Sequence, residues 1–176
     1  KLLLAVGRLA ARKGYGTLIR GFSALNKEMP NTKLVIVGRG HLKRRLMRLA
    51  KSLGVGEDVT IESSLSFAEL AQLYRSSDLV VYPSFYEGQG LIPLEAMASG
   101  VPVVTVDHGP LPEMVDESVG ALFTMGDIES MVSVMKEVLK AGRKKGEKGR
   151  SRVLQKFTYS GNAESFENIY LEAINR

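Results

Sequence analysis

The sequence contains no cysteine, and it has only two histidines among 176 residues. Without cysteine the chain can form neither a disulfide nor a thiolate zinc site, and two histidines leave little to bind any other metal. We therefore expect no metal site and no metal cofactor. The absence of cysteine is also typical of proteins in a reducing compartment, which favours a cytoplasmic location.

Long apolar segments are missing as well. No uncharged apolar stretch reaches the roughly 20 residues that a membrane-spanning helix needs, and no signal-peptide pattern is present. The chain begins at Lys1 directly in an apolar, strand-like segment, without an initiator methionine. This beginning predicts a piece cut from a longer protein. Its length suits one domain, residues 1–176, with a substantial core.

Acidic residues are absent between Lys1 and Lys27, a segment that carries six cations. Two further basic clusters follow at Arg39–Lys51 and Lys140–Arg152, although the net charge is only +5. The usual meaning of such clusters is a solvated helix face, and we favour it over a binding patch. Contact with an anionic membrane surface through these basic helices is a second interpretation. Nucleic acid is not expected as a partner, because no aromatic-rich platform accompanies the clusters.

Short apolar segments alternate with segments of helical periodicity along the chain. The apolar segments resemble buried parallel strands, and they are Leu2–Val6, Leu34–Val37, Val59–Ile61, Leu79–Tyr82, Val103–Val106 and Ala121–Phe123. This alternation predicts a Rossmann-like, three-layer α/β/α domain with a parallel sheet of about six strands and C-terminal helices. Ligands of such sheets bind beyond the carboxyl ends of the strands, near the point where the strand order reverses.

The helical segments have recognisable limits and faces. Ser66 and Glu69 form a capping box at the start of the third helix. In the second helix we place Lys43, Arg44, Arg45 and Arg48 outside the apolar stripe, facing solvent. The glycine-rich stretch at 142–149 predicts a break between helices.

The strongest functional signal is the segment from Tyr86 to Gly100, which reads YEGQGLIPLEAMASG. It follows a predicted strand, contains Gly88 and Gly90, and then becomes helical. A strand, a glycine-rich turn and a helix N-terminus together form a natural anion site, because the N–H groups of the first turn are unpaired and the helix dipole favours negative charge.

Two glutamates of this segment have alternative interpretations. Glu95 lies within the helix among mostly apolar neighbours, where a carboxylate is costly unless something hydrogen-bonds it. It is either a partly exposed or distantly paired side chain or, as we prefer, an acceptor for ligand hydroxyls such as those of a ribose. Glu87 lies just before the helix, so it either complements the helix dipole or contacts the ligand.

Glycines also follow the first and second predicted strands. The first turn reads GRLAARKG and places Arg8 and Lys13 close to a strand end. Both cations suit a diphosphate, Arg8 through its planar fork and Lys13 as a mobile point charge. The turn Gly38-Arg39-Gly40 is a weaker candidate, because it lacks the third glycine of the dinucleotide fingerprint. A sugar nucleotide carries two phosphates between two hydroxyl-rich groups. The two cations would suit its phosphates, and the two glutamates would suit its hydroxyls.

These motifs together resemble a known family. GRLAARKG, LVIVGRG and PSFYEGQGLIPLEAMASGVPVV, followed by GPLPEMV and Gly120, are similar to the donor-binding half of family-4 retaining glycosyltransferases of GT-B fold. The resemblance covers nearly the whole chain, in the same order and spacing. Glu87 and Glu95 match the E-x7-E motif of that family. Gln89 departs from the usual aromatic residue of the motif, and Ser63 stands where many relatives have glycine.

The resemblance implies a role for each matching residue. Arg8 and Lys13 would hold the donor diphosphate and stabilise the leaving nucleotide, Glu87 would contact the donor sugar, and Glu95 would bind the ribose. These cations and a helix dipole would replace a metal. The catalytic residues would be Arg8, Lys13 and Glu87. The implied donor site comprises Gly7, Arg8, Lys13, Ser64 and Leu65 near the base, Glu87, the backbone of Gly88, Gln89, Gly90 and Leu91, and Glu95.

The implied activity is retaining transfer of a hexose from a UDP-, GDP- or ADP-sugar, with no other cofactor. An N-terminal domain of the same protein, absent from this sequence, would hold the acceptor, so the fragment alone is expected to be inactive. One alternative is half of a GT-B epimerase or phosphorylase. A phosphorylase would need a lysine that binds pyridoxal phosphate, and only the general basicity of the chain supports one. The other is a non-catalytic nucleotide-binding module. A receiver-like signalling module is disfavoured, because it would cluster acids where this chain has Gly7-Arg8.

Overall fold

Six strands form a single parallel sheet in the computed structural model, which describes residues 1–175; Arg176, the last residue of the predicted domain, lies outside them. The strands are β1 (Leu2–Val6), β2 (Lys33–Val37), β3 (Val59–Glu62), β4 (Leu79–Tyr82), β5 (Val103–Val106) and β6 (Gly120–Phe123). Each lies within one residue of its predicted limits. β4 and β5 are buried along their whole length, because an uninterrupted apolar strand between two helical layers leaves no face to solvent.

Eight α-helices are found in the described residues. They are α1 (Tyr15–Glu28), α2 (Lys43–Ser52), α3 (Phe67–Ser76), α4 (Leu91–Ala98), α5 (Leu111–Met114), α6 (Ile128–Ala141), α7 (Lys144–Lys156) and α8 (Tyr159–Ile174). The predicted capping box begins α3, with the Ser66 N–H donating to Glu69 at 2.7 Å and the Glu69 N–H donating to the Ser66 hydroxyl at 3.2 Å. A single 3-10 turn at Ala11–Lys13 precedes α1.

The strand order is β3-β2-β1-β4-β5-β6, and all neighbouring strands are parallel. Two apolar clusters cover the sheet, one formed with α1, α2 and α6 and the other with α3, α4, α5 and α7. The predicted three-layer α/β/α architecture is therefore confirmed. From β1 the chain adds strands towards one edge of the sheet as far as β3, and from β4 it adds them towards the other edge. A ligand crevice is therefore expected at the carboxyl ends of β1 and β4, where this order reverses.

The glycine-rich segment after α6 differs in part from the prediction. Gly142 does end α6, with a φ of +67°. Gly146 and Gly149, however, lie inside α7, where they allow this helix to approach the end of α4. A Cβ on Gly146 would lie 2.1 Å from the Gly100 carbonyl oxygen, and one on Gly149 would lie 2.9 Å from Cγ of Met97. These two glycines are contact points between helices and not part of a break.

Gly146→Ala is expected to destabilise the fold by about 1–3 kcal/mol, although alanine is the better helix former. The added methyl group would meet the backbone of Gly100 and Val101, which cannot rotate away as a flexible side chain could. Gly16→Ala in α1 is the matched control, because no heavy atom lies nearer than 4.0 Å to its added Cβ. Urea unfolding of both variants measures the difference, and equal effects would show that α7 does not pack this closely.

The predicted final helix is present as α8, but it contributes no buried side chain. Phe166, Ile169 and Tyr170 remain 60%, 59% and 63% exposed. None of the helices in residues 1–175 combines the length and the apolar character that crossing a membrane requires.

Candidate functional site

Two loops at the carboxyl edge of the sheet are bound to each other. The first runs from β1 to α1 and the second from β4 to α4. The Phe85 N–H in the second loop donates to the Arg12 carbonyl in the first at 2.8 Å. Gly14 has a φ of +68°, and a Cβ there would lie 2.1 Å from the Pro83 carbonyl oxygen, so only glycine permits this contact. The two loops are therefore in contact at the carboxyl ends of β1 and β4, where a ligand crevice is expected.

Lys13 and Glu87 form an ion pair between these two loops. Each side chain is 13% exposed. The Lys13 ammonium also donates to the Tyr82 hydroxyl at 2.9 Å, and the Ser84 hydroxyl donates to the same carboxylate oxygen that Lys13 contacts. Burial acts to raise the pKa of Glu87, but hydrogen bonds from Lys13, Ser84 and Tyr82 outweigh it and hold that pKa below its ordinary value. Glu87 is thus a charged, firmly held carboxylate at neutral pH.

Arg8 differs from Lys13 in having no carboxylate partner among residues 1–175. It follows Gly7 directly at the end of β1, and its side chain is exposed. Gly7 itself has a φ of +140°, and a Cβ there would lie 2.9 Å from the Tyr15 hydroxyl. An unpaired guanidinium at a strand end is free to form a planar, bidentate contact with an incoming anion.

The N-terminus of α4 borders the same crevice. Gly90 precedes the helix with a φ of +75°, and Gly88 and Gln89 are exposed. Within residues 1–175, the N–H groups of Gly88, Gln89 and Leu91 donate to no backbone or side-chain acceptor. A Cβ on Gly88 would meet no atom within 4 Å. Open space beside unpaired N–H groups at a helix N-terminus is the geometry that an anion site requires, and binding of an anion here stays a prediction.

Glu95 lies one turn further along α4 and is exposed. Its Oε2 accepts a hydrogen bond of 2.9 Å from the Tyr74 hydroxyl, and no ion pair is recorded for it in the described residues. The absence of a nearby cation agrees with the sequence pattern. The burial cost considered for this carboxylate does not arise, because the side chain reaches solvent.

The glycines at the end of β2 have a structural explanation. A Cβ on Gly38 would lie 1.9 Å from the Gly7 carbonyl oxygen, and one on Gly40 would lie 2.4 Å from the Leu9 carbonyl oxygen. The Leu9 N–H also donates to the Arg39 carbonyl at 2.8 Å. Gly38 and Gly40 therefore allow the loops after β1 and β2 to touch, and close backbone packing is sufficient to explain both.

Lys43 is placed differently from the sequence prediction. Its ammonium does not face outward from α2 but donates to the Ser63 hydroxyl at 2.7 Å. Arg39 joins the same group, donating to the Ser63 carbonyl at 2.9 Å and to the Ser64 hydroxyl at 2.8 Å. Two cations thus contact Ser63 and Ser64, in the loop where a base is expected. Lys43 is the first residue of α2 and comes three residues after Gly40, so its closeness to the end of β2 is the sequence signal for this contact.

Two buried tyrosines near these loops, Tyr74 and Tyr82, have contacts that the sequence does not indicate. Tyr74 and Tyr82 are each 3% exposed, and their hydroxyls contact Glu95 and Lys13 respectively. Burial is the main cause that raises the pKa of both, so each hydroxyl stays protonated at neutral pH. A buried tyrosine usually has a hydrogen-bond partner, but the sequence does not say which one.

Comparison with known proteins identifies the relatives of this chain. The family model described as "Glycosyl transferases group 1" matches residues 1–153. Mannosylfructose-phosphate synthase of Agrobacterium fabrum is 34% identical over 176 residues, covering 93% of this chain and 39% of that protein. The GDP-mannose-dependent alpha-(1-6)-phosphatidylinositol monomannoside mannosyltransferase of Mycolicibacterium smegmatis is 33% identical over 146 residues, covering 78% of this chain and 38% of that protein.

A solved structure of similar extent is the C-terminal domain of the glycosyl transferase group 1 family protein LpcC from Francisella tularensis. It has a TM-score of 0.81 and 25% sequence identity, and the match covers 90% of this chain and 87% of that one. The chain therefore corresponds in extent to a C-terminal domain, and it spans less than half the length of the curated relatives above, 39% and 38%.

Proposed function

This chain belongs to the group 1 glycosyltransferase family, and from that premise we propose that it binds a nucleotide-diphosphate sugar and supports retaining transfer of the hexosyl group. The observation that supports the proposal most is the contact of Lys13 with Glu87 across the β1/β4 switch point. Arg8 follows β1 on one side of this point, and the α4 N-terminus with Glu95 follows β4 on the other. A diphosphate between two hydroxyl-rich groups is chemically complementary to this arrangement.

The diphosphate is proposed to bind between Arg8, Lys13 and the N–H groups at 88–91. Arg8 is free of carboxylate partners in the described structure, whereas Lys13 is paired with Glu87. A phosphate oxygen would therefore attract the Lys13 ammonium away from Glu87, while Ser84 continues to hold that carboxylate. The Glu87 carboxylate, no longer bound by Lys13, can then accept hydroxyls of the donor sugar, and Glu95 can accept those of the ribose.

The same groups are proposed to assist departure of the nucleotide. Negative charge grows on the diphosphate as the bond to the sugar breaks, and fixed positive charge stabilises that transition state more than the ground state. Arg8, Lys13 and the α4 N-terminus would supply such charge beside the diphosphate. We therefore propose that transfer needs no metal ion.

The donor is proposed to be a hexosyl nucleotide. One relative is named as GDP-mannose-dependent and another as a mannosylfructose-phosphate synthase, so hexose transfer is a common theme of these names. The base is left open among uracil, guanine and adenine. Arg39, Lys43 and Ser64 lie where we place the base, and their side chains are the first positions to vary when base preference is studied.

The acceptor is proposed to bind a second domain of the same protein, because the chain covers 39% and 38% of the curated relatives. A cytoplasmic location, including the membrane surface, is part of the same proposal. Lys144, Lys148 and Lys156 of α7 border an open hollow of about 620 Å³. Cations around an open surface would favour an anionic membrane.

The purified chain is expected to bind one of UDP, GDP or ADP and to transfer no sugar to any acceptor. The sheet is complete and covered on both faces, whereas the acceptor is assigned to another domain. Thermal shift and calorimetry with the three nucleotides measure binding, and release of nucleotide from the matching donor measures transfer. Failure of all three to bind would contradict the donor role, and robust transfer by the chain alone would contradict the two-domain proposal.

A further inference from the structure

Tyr74 and Glu95 come from different elements and meet at the edge of the crevice. Tyr74 lies in the last turn of α3, and its ring packs in the apolar cluster that covers one face of the sheet. Its side chain is 3% exposed, and its hydroxyl lies 2.9 Å from Oε2 of Glu95. A ring enclosed on all sides cannot change rotamer without disturbing the core, so the position of this hydroxyl is fixed.

The hydroxyl of Tyr74 gives the only hydrogen bond recorded for the Glu95 carboxylate within residues 1–175. A carboxylate has about four acceptor sites, so most of its capacity remains available to a ligand. A lysine or arginine partner would hold the carboxylate too, but it would also compete with ligand hydroxyls for the negative charge. A neutral donor instead leaves that charge in place. Glu87, held by Lys13 and Ser84, shows the opposite arrangement.

Without such a donor, an exposed glutamate would populate several rotamers. Each rotamer that points away from the ligand reduces the fraction of protein that is ready to bind, and ordering the side chain on binding costs entropy. A fixed hydroxyl reduces this cost in advance. Burial and the Glu95 charge raise the pKa of Tyr74, so the hydroxyl remains a donor over the pH range in which the carboxylate is charged.

We propose that Tyr74 is a positioning residue of the nucleotide site, which fixes the Glu95 carboxylate so that its free oxygen meets the ribose hydroxyls of the donor. The inference rests on the function proposed above, since it assigns the ribose to Glu95. It adds a residue outside the E-x7-E motif, on a different helix, that acts on the ligand only through Glu95.

Tyr74→Phe removes the hydroxyl and keeps the ring. It is expected to weaken binding of the preferred nucleoside diphosphate about twofold to tenfold, the range for loss of one ordinary hydrogen bond. The 2′,3′-dideoxy form of the same nucleotide should bind both proteins equally, because it offers Glu95 no hydroxyl. Adding Tyr74→Phe to Glu95→Gln should cause little further loss, since Tyr74 then has no carboxylate to position.

Tyr15→Phe is the matched control. Tyr15 is 2% exposed, and its hydroxyl has no hydrogen-bond partner in the described residues, so this variant also removes a buried hydroxyl. It should leave the ratio of ribose to dideoxy affinity unchanged. Calorimetric titration of the purified chain and its variants gives all the affinities, and thermal unfolding confirms that each variant is folded.

Equal weakening of ribose and dideoxy binding by Tyr74→Phe, or no weakening, would overturn the positioning role. Additive losses in the double variant would do the same. Glu95→Gln could weaken binding of the ribose nucleotide alone while Tyr74→Phe binds both nucleotides as wild type does. In that case the proposed function stands and this inference fails. If wild type binds none of the nucleotides, both fail together.

Discussion

Lys13→Ala is expected to weaken binding of the nucleoside diphosphate about 30-fold or more, while binding of the matching nucleoside changes little. Truncating one partner of a buried charge pair costs about 2 kcal/mol or more, which corresponds to this factor. In this site the variant also leaves the Glu87 carboxylate, 13% exposed, without its ammonium and facing the phosphates. A nucleoside has no phosphate, so its contacts with Glu95 and the base loop remain.

The control for Lys13→Ala is a variant that removes positive charge elsewhere. Arg44 and Arg48 of α2 are exposed, and the double variant Arg44→Ala/Arg48→Ala should leave the difference between nucleoside and diphosphate intact. Arg8→Ala should act in the same direction as Lys13→Ala. All titrations are done at about 0.15 M salt, because screening reduces effects of exposed charges. If Lys13→Ala and the α2 double variant lose equal affinity for the nucleoside diphosphate, the diphosphate is attracted by a diffuse basic surface and Lys13 makes no specific contact.

A second variant distinguishes two roles for Lys13, contact with the diphosphate and neutralisation of the Glu87 charge. Lys13→Ala/Glu87→Gln removes both members of the ion pair, so no unpaired charge remains in the crevice. We expect it to recover stability lost in Lys13→Ala but not the affinity for the diphosphate. Recovery of full affinity in this double variant would show that Lys13 serves only to neutralise Glu87.

Glu95→Gln is expected to weaken nucleoside diphosphate binding about 10- to 100-fold, because hydrogen bonds to a charged acceptor contribute about 1.5–3 kcal/mol. The amide keeps the size of the side chain and loses the charge that strengthens its contacts with ribose hydroxyls. Stability should change by less than about 0.5 kcal/mol, since Glu95 is exposed and has no ion-pair partner in the described residues. Calorimetry and urea unfolding measure the two quantities.

The dideoxy nucleotide is the control for Glu95→Gln. It should bind the variant and the wild type almost equally, because the contacts that depend on Glu95 are already missing. A variant that unfolds readily yet binds nucleotide with unchanged affinity would show that Glu95 has a structural role. The ribose assignment would then be wrong.

The strands and their layers could be predicted because their cause is local. An uninterrupted apolar segment such as Val103–Val106 can only be buried on both faces, and the alternation of such segments with helical periodicity leaves few architectures. The E-x7-E spacing and the glycine turn are likewise local, so the sequence indicates a helix N-terminus with one carboxylate on each side. Their roles in ligand binding remain predictions.

The surroundings of single residues within a helix are harder to predict from the sequence. Lys43 was predicted to face solvent, because helical periodicity places it outside the apolar stripe, yet it contacts Ser63 at the end of β3. Gly146 and Gly149 suggest a break, because glycine is a poor helix former, yet they lie inside α7 and pack closely against the end of α4. In both cases the deciding contact comes from another element.

The parallel α/β architecture, the positions of the strands and the residues at the strand ends can therefore be predicted from the sequence alone. The pairing of Lys13 with Glu87, 74 positions away, and the hydrogen bond from Tyr74 to Glu95 become visible only in the folded chain. The physical reason is the range of the forces involved. Periodic burial and turn geometry act within a few residues, whereas a hydrogen bond or an ion pair needs two groups that the strand order alone brings together.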